Sequence, residues 1–283
     1  MSSDGLPPLR EVIKTHDLRA DKKFGQNFIL DLNLTRRIAR EAGDLSNCDT
    51  VEVGPGPGGL TRGLLMEGAR HVHVIEADAR FLPALHEIAA AYPGRLSIHQ
   101  GDALAITPQS LTDAPYRLVS NLPYNIGTTL LTGWLQSGWR NGLWQPDFLS
   151  MTLMFQKEVA QRVTAAPGDK HYGRLAVLAG WLSETRLAFD VDKQVFVPPP
   201  KVTSAIIDLR PRPAPLAVAD PTVLTKITAA AFGQRRKMLR ASLKQISLHP
   251  QALLAEAGIA ETARAEELSI EQFCTLARLL ETQ

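Results

Sequence analysis

The stretch that most restricts how this chain can fold is Thr50-Val51-Glu52-Val53-Gly54-Pro55-Gly56-Pro57-Gly58-Gly59. A short β-rich run ends in a glycine-rich loop. Leu60, Leu64, Leu65 and Met66 then recur at helical spacing. Gly54, Gly56 and Gly59 satisfy the G-x-G-x-x-G pattern, in which glycines permit a tight strand-to-helix turn and a close approach of ligand to backbone. Glu76 ends the next apolar run, His71 to Ile75, and stands 22 residues after Gly54, where a carboxylate can accept hydrogen bonds from ribose hydroxyls. Strand, glycine loop, helix and acidic residue in this order point to a nucleoside-containing cofactor.

The rest of the chain extends the pattern. Helical segments at 32–40 and 80–91 alternate with strand-like runs at 95–99, 117–120 and 149–155, which implies βαβ units and a mostly parallel sheet. Two further runs, 185–191 and 205–209, have no long helix between them. They are expected to form an antiparallel hairpin closing the sheet edge, bringing the strand count to seven. Pro211, Pro213, Pro215 and Pro221 then mark a stiff linker. Beyond it the pattern is helical, with Leu239, Leu243 and Ile246 on one face. The expected division is an α/β domain over 1–210 and a small all-α domain over 211–283.

Composition removes other classes. With 45% hydrophobic and 21% charged residues over 283 positions, a disordered chain is excluded, and two cysteines cannot build a disulfide scaffold. Cys48 and Cys274 have no metal-ligand spacing and read as reduced thiols. The histidines form no ligand set, and no metal is expected. The first 30 residues are too charged for a secretory signal, and no apolar run nears the ~20 residues of a membrane helix, so a cytoplasmic protein is expected.

The net charge of +2 hides a segregation. Residues 221–255 contain six Lys or Arg and no Asp or Glu, whereas six Glu follow from Glu256 onward. Arg235, Arg236, Lys237, Arg240 and Lys244 are expected on one helix, with 236, 240 and 244 sharing a face. A stripe of one sign suits a phosphate backbone. The alternative is an ordinary solvated helix face.

A second motif narrows the chemistry. Asn121-Leu122-Pro123-Tyr124 follows the fourth strand, beside the crevice where such sheets bind ligands. An exocyclic adenine amine is a poor nucleophile, because its lone pair is delocalised into the ring. The Asn121 amide oxygen and the Leu122 carbonyl can accept from its two hydrogens and so favour a pyramidal nitrogen. Pro123 stiffens the turn, and Tyr124 offers a face on which the base can stack. Methylation of an amino group fits this tetrapeptide; hydride transfer to a dinucleotide has no use for it. Asp102, at the end of the third strand, could receive a cofactor's adenine amino group. An NAD-dependent oxidoreductase and a non-catalytic RNA-binding factor remain as alternatives.

Seven segments in order resemble the ribosomal RNA adenine dimethyltransferases, the bacterial small-subunit branch in particular: Lys23-Phe24-Gly25-Gln26-Asn27-Phe28, the run from Glu52 to Gly58, Glu76-Ala77-Asp78, Gly101-Asp102-Ala103, the run from Asn121 to Ile126, the run from Phe196 to Val202, and the run from Ala231 to Lys237. The resemblance implies a class I, Rossmann-like methyltransferase fold. It implies S-adenosyl-L-methionine as donor and S-adenosyl-L-homocysteine as product. Two methyl groups would go to N6 of each of two adjacent adenines in the hairpin near the 3′ end of 16S rRNA, within the 30S subunit or its precursor, by a monomer contributing to subunit biogenesis. It places donor contacts on Asn27, Ile29, Gly54, Glu76, Asp102 and Asn121, with Gly56 in the loop and Gln26 in an N-terminal segment, 1–31, that covers the donor. Phe196 matches the aromatic facing Tyr124 across the target base. Lys22, Lys23 and Lys201, with the basic cluster at 235–244, would meet RNA phosphates. Phe28-Ile29 departs from the commoner Phe-Leu but keeps the apolar bulk. The macrolide-resistance methylases share the fold and the Asn-x-Pro-Tyr motif while acting on large-subunit rRNA. The Phe196–Val202 and Ala231–Lys237 segments favour the small-subunit branch.

Overall fold

A computed structural model describes residues 4–20, 26–234 and 236–282. In chain order the elements are α1 (Leu9–Thr15), β1 (Phe28–Ile29), α2 (Leu32–Glu41), β2 (Asp49–Val53), α3 (Gly59–Met66), β3 (His71–Glu76), α4 (Leu82–Ala91), β4 (Leu96–Gln100), β5 (Tyr116–Asn121), α5 (Gly127–Ser137), β6 (Trp139–Arg140), β7 (Leu143–Trp144), β8 (Phe148–Gln156), α6 (Lys157–Thr164) and α7 (Arg174–Leu182). They continue with β9 (Ser183–Val191), β10 (Phe196–Val197), β11 (Ser204–Pro211), α8 (Pro221–Gly233), α9 (Leu239–Ser242), α10 (Pro250–Glu256) and α11 (Ile270–Glu281).

Seven strands form one sheet in the order β4-β3-β2-β5-β8-β11-β9. The pairs β2·β3, β3·β4, β2·β5 and β5·β8 are parallel, and β11 runs antiparallel to β8. The sheet is therefore mostly parallel, as expected, with β11 and β9 closing one edge. The strand order reverses at β2: successive strands β3 and β4 lie to one side of it and β5 to the other. In such sheets the crevice beyond the strand C-termini at this point receives ligands. The central strands are buried along their length, since helices cover both faces: every residue of β2 is buried, including Glu52. Two smaller pairs, β1·β10 and β6·β7, stand apart from the sheet.

The chain packs as two compact units: residues 1–139, 145–160 and 186–210 make one, and 140–144, 161–185 and 211–283 the other. The second unit thus takes in α7 and the β6–β7 turn in addition to the stretch beyond the proline linker. Its core includes the buried Tyr172 and Phe273, and the half-buried Phe232 lies between them, 5.8 Å from the Tyr172 ring and 5.5 Å from the Phe273 ring. Leu239, Leu243, Leu253 and Leu276 are fully buried in the same unit.

The basic segment is not one helix. α8 stops at Gly233, Gln234 adopts a non-helical conformation, and Lys237 N–H closes a turn onto the Gln234 carbonyl at 2.8 Å. The Leu239 N–H, which a continuous helix would spend four residues back, goes to the Ala263 carbonyl at 2.8 Å. The shared face of 236, 240 and 244 is corrected accordingly. Arg236 and Lys237 lie on the turn, Arg240 on the four-residue α9, and Lys244 on a 3₁₀ turn, all exposed. Arg240 is 3.8 Å from Glu261, so part of its charge is already met.

Candidate active site

The glycine loop forms the floor of a cavity of about 330 Å³ in the first unit. Gly54 N–H bonds to the Ile75 carbonyl at 2.9 Å, tying the end of β2 to β3. Glycine is required in the loop for two reasons. Gly58 sits at φ +84°, and a Cβ there would stand 2.2 Å from Ile88 Cδ1. Gly59 has an ordinary φ, but its Cβ would stand 2.4 Å from the Ile29 carbonyl oxygen, so β1 rests directly on the start of α3.

Glu76 ends β3 and is buried, 5% exposed. One carboxylate oxygen accepts from the Gly56 N–H at 3.0 Å, the other from the Asp78 N–H at 2.8 Å. Burial pushes its pKa up, and the backbone donors oppose that shift. The same carboxylate braces the loop and lines the cavity. Asp102 follows β4 at the rim, where one oxygen caps the Leu104 N–H at 2.9 Å. Gln26, Asn27 and Ile29 line the opposite side, and Gln26 Nε2 reaches Asp78 Oδ2 at 3.4 Å.

Asn121 is the last residue of β5 and opens into the same cavity. Its Nδ2 donates to the Asn27 carbonyl at 3.1 Å. A carbonyl can only accept, so this bond fixes which end of the amide is which and leaves Oδ1 as the acceptor end. Leu122, Pro123 and Tyr124 follow on the cavity wall. The Tyr124 hydroxyl is 2.7 Å from Ser204 Oγ, and burial pushes the phenol pKa up, so it stays neutral.

The expected residues of donor and acceptor pockets thus meet in one cavity, with one exception. Phe196 is 1% exposed and packs in the main apolar cluster with Phe28, Ile29 and Val191; it does not line the cavity. In β10 it pairs with Ile29 and turns inward, while Val197 beside it is exposed. The role of a second wall opposite Tyr124 is corrected: in this conformation the residue belongs to the core. Lys201 is exposed on the loop before β11. Lys22, Lys23 and Arg235 lie outside the described residues.

Two residues escaped the reading of the sequence. Glu52 lines the cavity and is fully buried, accepting from Thr61 Oγ1 at 2.6 Å; burial pushes its carboxyl up to about 8. Its signal was an acid flanked by two valines, Val51 and Val53, in a β-rich run. Ser204 had no signal, because it lies 80 residues from its partner Tyr124.

The lining tests which ligand fits. It includes the carboxylates of Glu76, Asp78 and Asp102 and the carboxyl of Glu52, which burial keeps protonated at neutral pH, and among the described residues no Lys, Arg or His. Such a wall disfavours the pyrophosphate of a dinucleotide and suits a ligand bearing hydroxyls, amino groups and positive charge. S-adenosylmethionine has that chemistry.

Comparisons with known proteins agree. The family model described as ribosomal RNA adenine dimethylase matches residues 17–282. A "Ribosomal RNA small subunit methyltransferase A" of Paracoccus denitrificans is 63% identical over 277 residues, covering 97% of this chain and 96% of that protein. One of the same name from Rhizobium meliloti is 57% identical over 277 residues, covering 98% of each. Among solved structures, the 23S rRNA methyltransferase ErmE superposes with a TM-score of 0.68 at 28% identity, over 90% of this chain and 100% of that one. A dimethyladenosine transferase from Plasmodium falciparum shares the fold, with a TM-score of 0.71 at 23% identity, over 87% of this chain and 94% of that one. With its glycine loop, its acid-lined cavity and its oriented Asn121, the chain belongs to the ribosomal RNA adenine dimethylase family, whose methyl donor is S-adenosylmethionine.

Proposed function

We propose that this protein dimethylates N6 of two adjacent adenines in the 3′-terminal hairpin of 16S rRNA, within the 30S subunit or its precursor. It works as a monomer in the cytoplasm. The names of its relatives support the small-subunit target. Among the described residues no helix is long and apolar enough to cross a membrane.

The observation that carries the chemistry is the orientation of Asn121 by the Asn27 carbonyl, 3.1 Å from its Nδ2. Oδ1 is thereby left to accept one hydrogen of the adenine amine, and the Leu122 carbonyl takes the other. Both acceptors pull the nitrogen towards a tetrahedral shape, with its lone pair directed into the cavity. Pro123 holds the turn, and Tyr124 presents a ring face for the extruded base. When bound, S-adenosylmethionine supplies a methyl group on a positively charged sulfur. Glu76 would hold its ribose hydroxyls and Asp102 its adenine amino group, while the glycine loop, Gln26, Asn27 and Ile29 enclose it. Positioning supplies most of the rate enhancement, and no strong general base is needed because the alkylated amine is acidic. The exposed cations Lys201, Arg236, Lys237, Arg240 and Lys244, with Lys22, Lys23 and Arg235, meet RNA phosphates in this reading.

Transfer of tritium from methyl-labelled S-adenosylmethionine to under-methylated 30S subunits tests it. Wild type should label the RNA, and Asn121→Ala should cut labelling at least about 100-fold while subunit binding survives. Unchanged labelling by the variant would remove Asn121 from the mechanism. Binding of NAD with no transfer would replace the reading altogether.

A further inference from the structure

Tyr124 is a turn residue asked to present a flat face, yet stacking uses only its ring. A Phe would stack equally well, so the hydroxyl calls for a separate account. It lies 2.7 Å from Ser204 Oγ. Ser204 is fully buried at the start of β11, in register with Gln156 of β8, and the neighbouring Thr203 carbonyl accepts from Lys157 N–H at 2.9 Å. Its backbone is thus pinned in the sheet, two strands from β5. The turn carrying Tyr124 has no such sheet support.

A phenol is rigid from Cβ to its oxygen. Holding both ends fixes the direction of the ring axis, where a free tyrosine could swing about χ1; a phenol hydroxyl also bonds best near its ring plane, so the contact biases χ2 as well. The cavity's other aromatic, Phe28, is already engaged edge-on with Phe81, 5.5 Å away at 79°. With Phe196 in the core, Tyr124 is the ring left on the Asn121 side.

We propose that Ser204 is a positioning residue for methyl transfer: by holding the Tyr124 hydroxyl it keeps in place the ring on which the target adenine stacks beside Asn121. The proposal rests on the reading of Tyr124 as the stacking face. The Ser204 side chain is fully buried, so its hydroxyl gains a partner that water does not readily supply there, while Tyr124 is half-buried. The bond helps the reaction because small errors in the presentation of a nucleophile are expensive.

A double-mutant cycle on the full-length protein tests it, using Tyr124→Phe, Ser204→Ala and both together, assayed on under-methylated 30S subunits at saturating donor. Each single change should lower kcat about 10- to 100-fold and leave the KM for S-adenosylmethionine within about twofold. The double variant should be no worse than the poorer single one, and Ser204→Thr, which keeps a hydroxyl, should recover part of the rate. Tyr124→Phe leaves the strand untouched, so a fault in folding at Ser204 cannot imitate the whole pattern. Losses that multiply in the double variant would overturn the proposal, since Ser204 would then act apart from Tyr124. Wild-type kcat in Ser204→Ala would overturn it too, and if Tyr124→Ala abolishes transfer at the same time the stacking reading survives alone. Full activity of Tyr124→Ala would remove both.

Discussion

The two halves of the active site are built differently. The donor half lies at the ends of three adjacent parallel strands, β2, β3 and β4, and is held by backbone: Gly54 N–H on Ile75, Gly56 and Asp78 N–H on Glu76, and Leu104 N–H on Asp102. The acceptor half, Asn121 to Tyr124, is held by side chains reaching across the chain, Asn121 to residue 27 and Tyr124 to residue 204. One half is a floor that comes with the fold. The other is a wall set by two distant tethers, where a base must enter and leave.

This contrast makes separable predictions. The largest effect is expected at the acceptor half: Asn121→Ala should lower kcat about 100- to 1,000-fold. Donor affinity, read by calorimetry, should stay within a few fold, since the amide acts on the amine to be methylated. Glu76→Ala should do the reverse, weakening donor binding about 10- to 100-fold and disturbing the loop it braces. Turnover at saturating donor should fall much less. A Glu76 variant that lost turnover and kept affinity would erase the distinction between the halves.

A smaller effect concerns pH. Glu52 is buried with its pKa at about 8, against 4.5 when unfolded. Between those values the native state keeps a proton that the unfolded chain has lost. Its contribution to stability is therefore fully present below about pH 4.5 and is lost as pH rises through about 8. Glu76 is shifted in the same direction. The melting temperature of wild type should fall by a few degrees more between pH 5 and pH 8 than that of Glu52→Gln. Equal slopes would show that Glu52 is ionised in the folded protein across that range.

The smallest effect on the site itself is expected from the second unit. Arg236→Glu with Arg240→Glu should weaken subunit binding and flatten its salt dependence by about one unit of slope per lost phosphate contact. Glu261 already faces Arg240, so Arg236 should account for more of the change. Donor affinity should not move, and a parallel loss would mean that the segment is structural.

The same contrast explains what could be read from the sequence. The donor floor was legible because each part is local: a β-rich run, glycines where the backbone must turn, and an acid at the next strand's end. The seven strands appear within a residue or two of their expected places for the same reason. The acceptor tetrapeptide was legible by composition, but its tethers were not, because 94 and 80 residues separate the partners. Phe196 shows the limit in miniature. In a two-residue strand nothing local says which face is inward, and pairing with Ile29 decided it. At 236–244 the apolar spacing of Leu239 and Leu243 correctly marked a buried face. Spacing cannot report continuity, and the bond from Leu239 to Ala263 broke the helix.

The central claim is dimethylation of adjacent small-subunit adenines. Its most direct test is nucleoside mass spectrometry of 16S rRNA from a strain lacking this gene, with and without the gene restored. Two neighbouring N6,N6-dimethyladenosines in the 3′-terminal hairpin should be absent in the first and present in the second, and should stay absent when Asn121→Ala is supplied instead. Unchanged dimethyladenosine in the deletion strain, or a modification lost from large-subunit rRNA, would contradict the account.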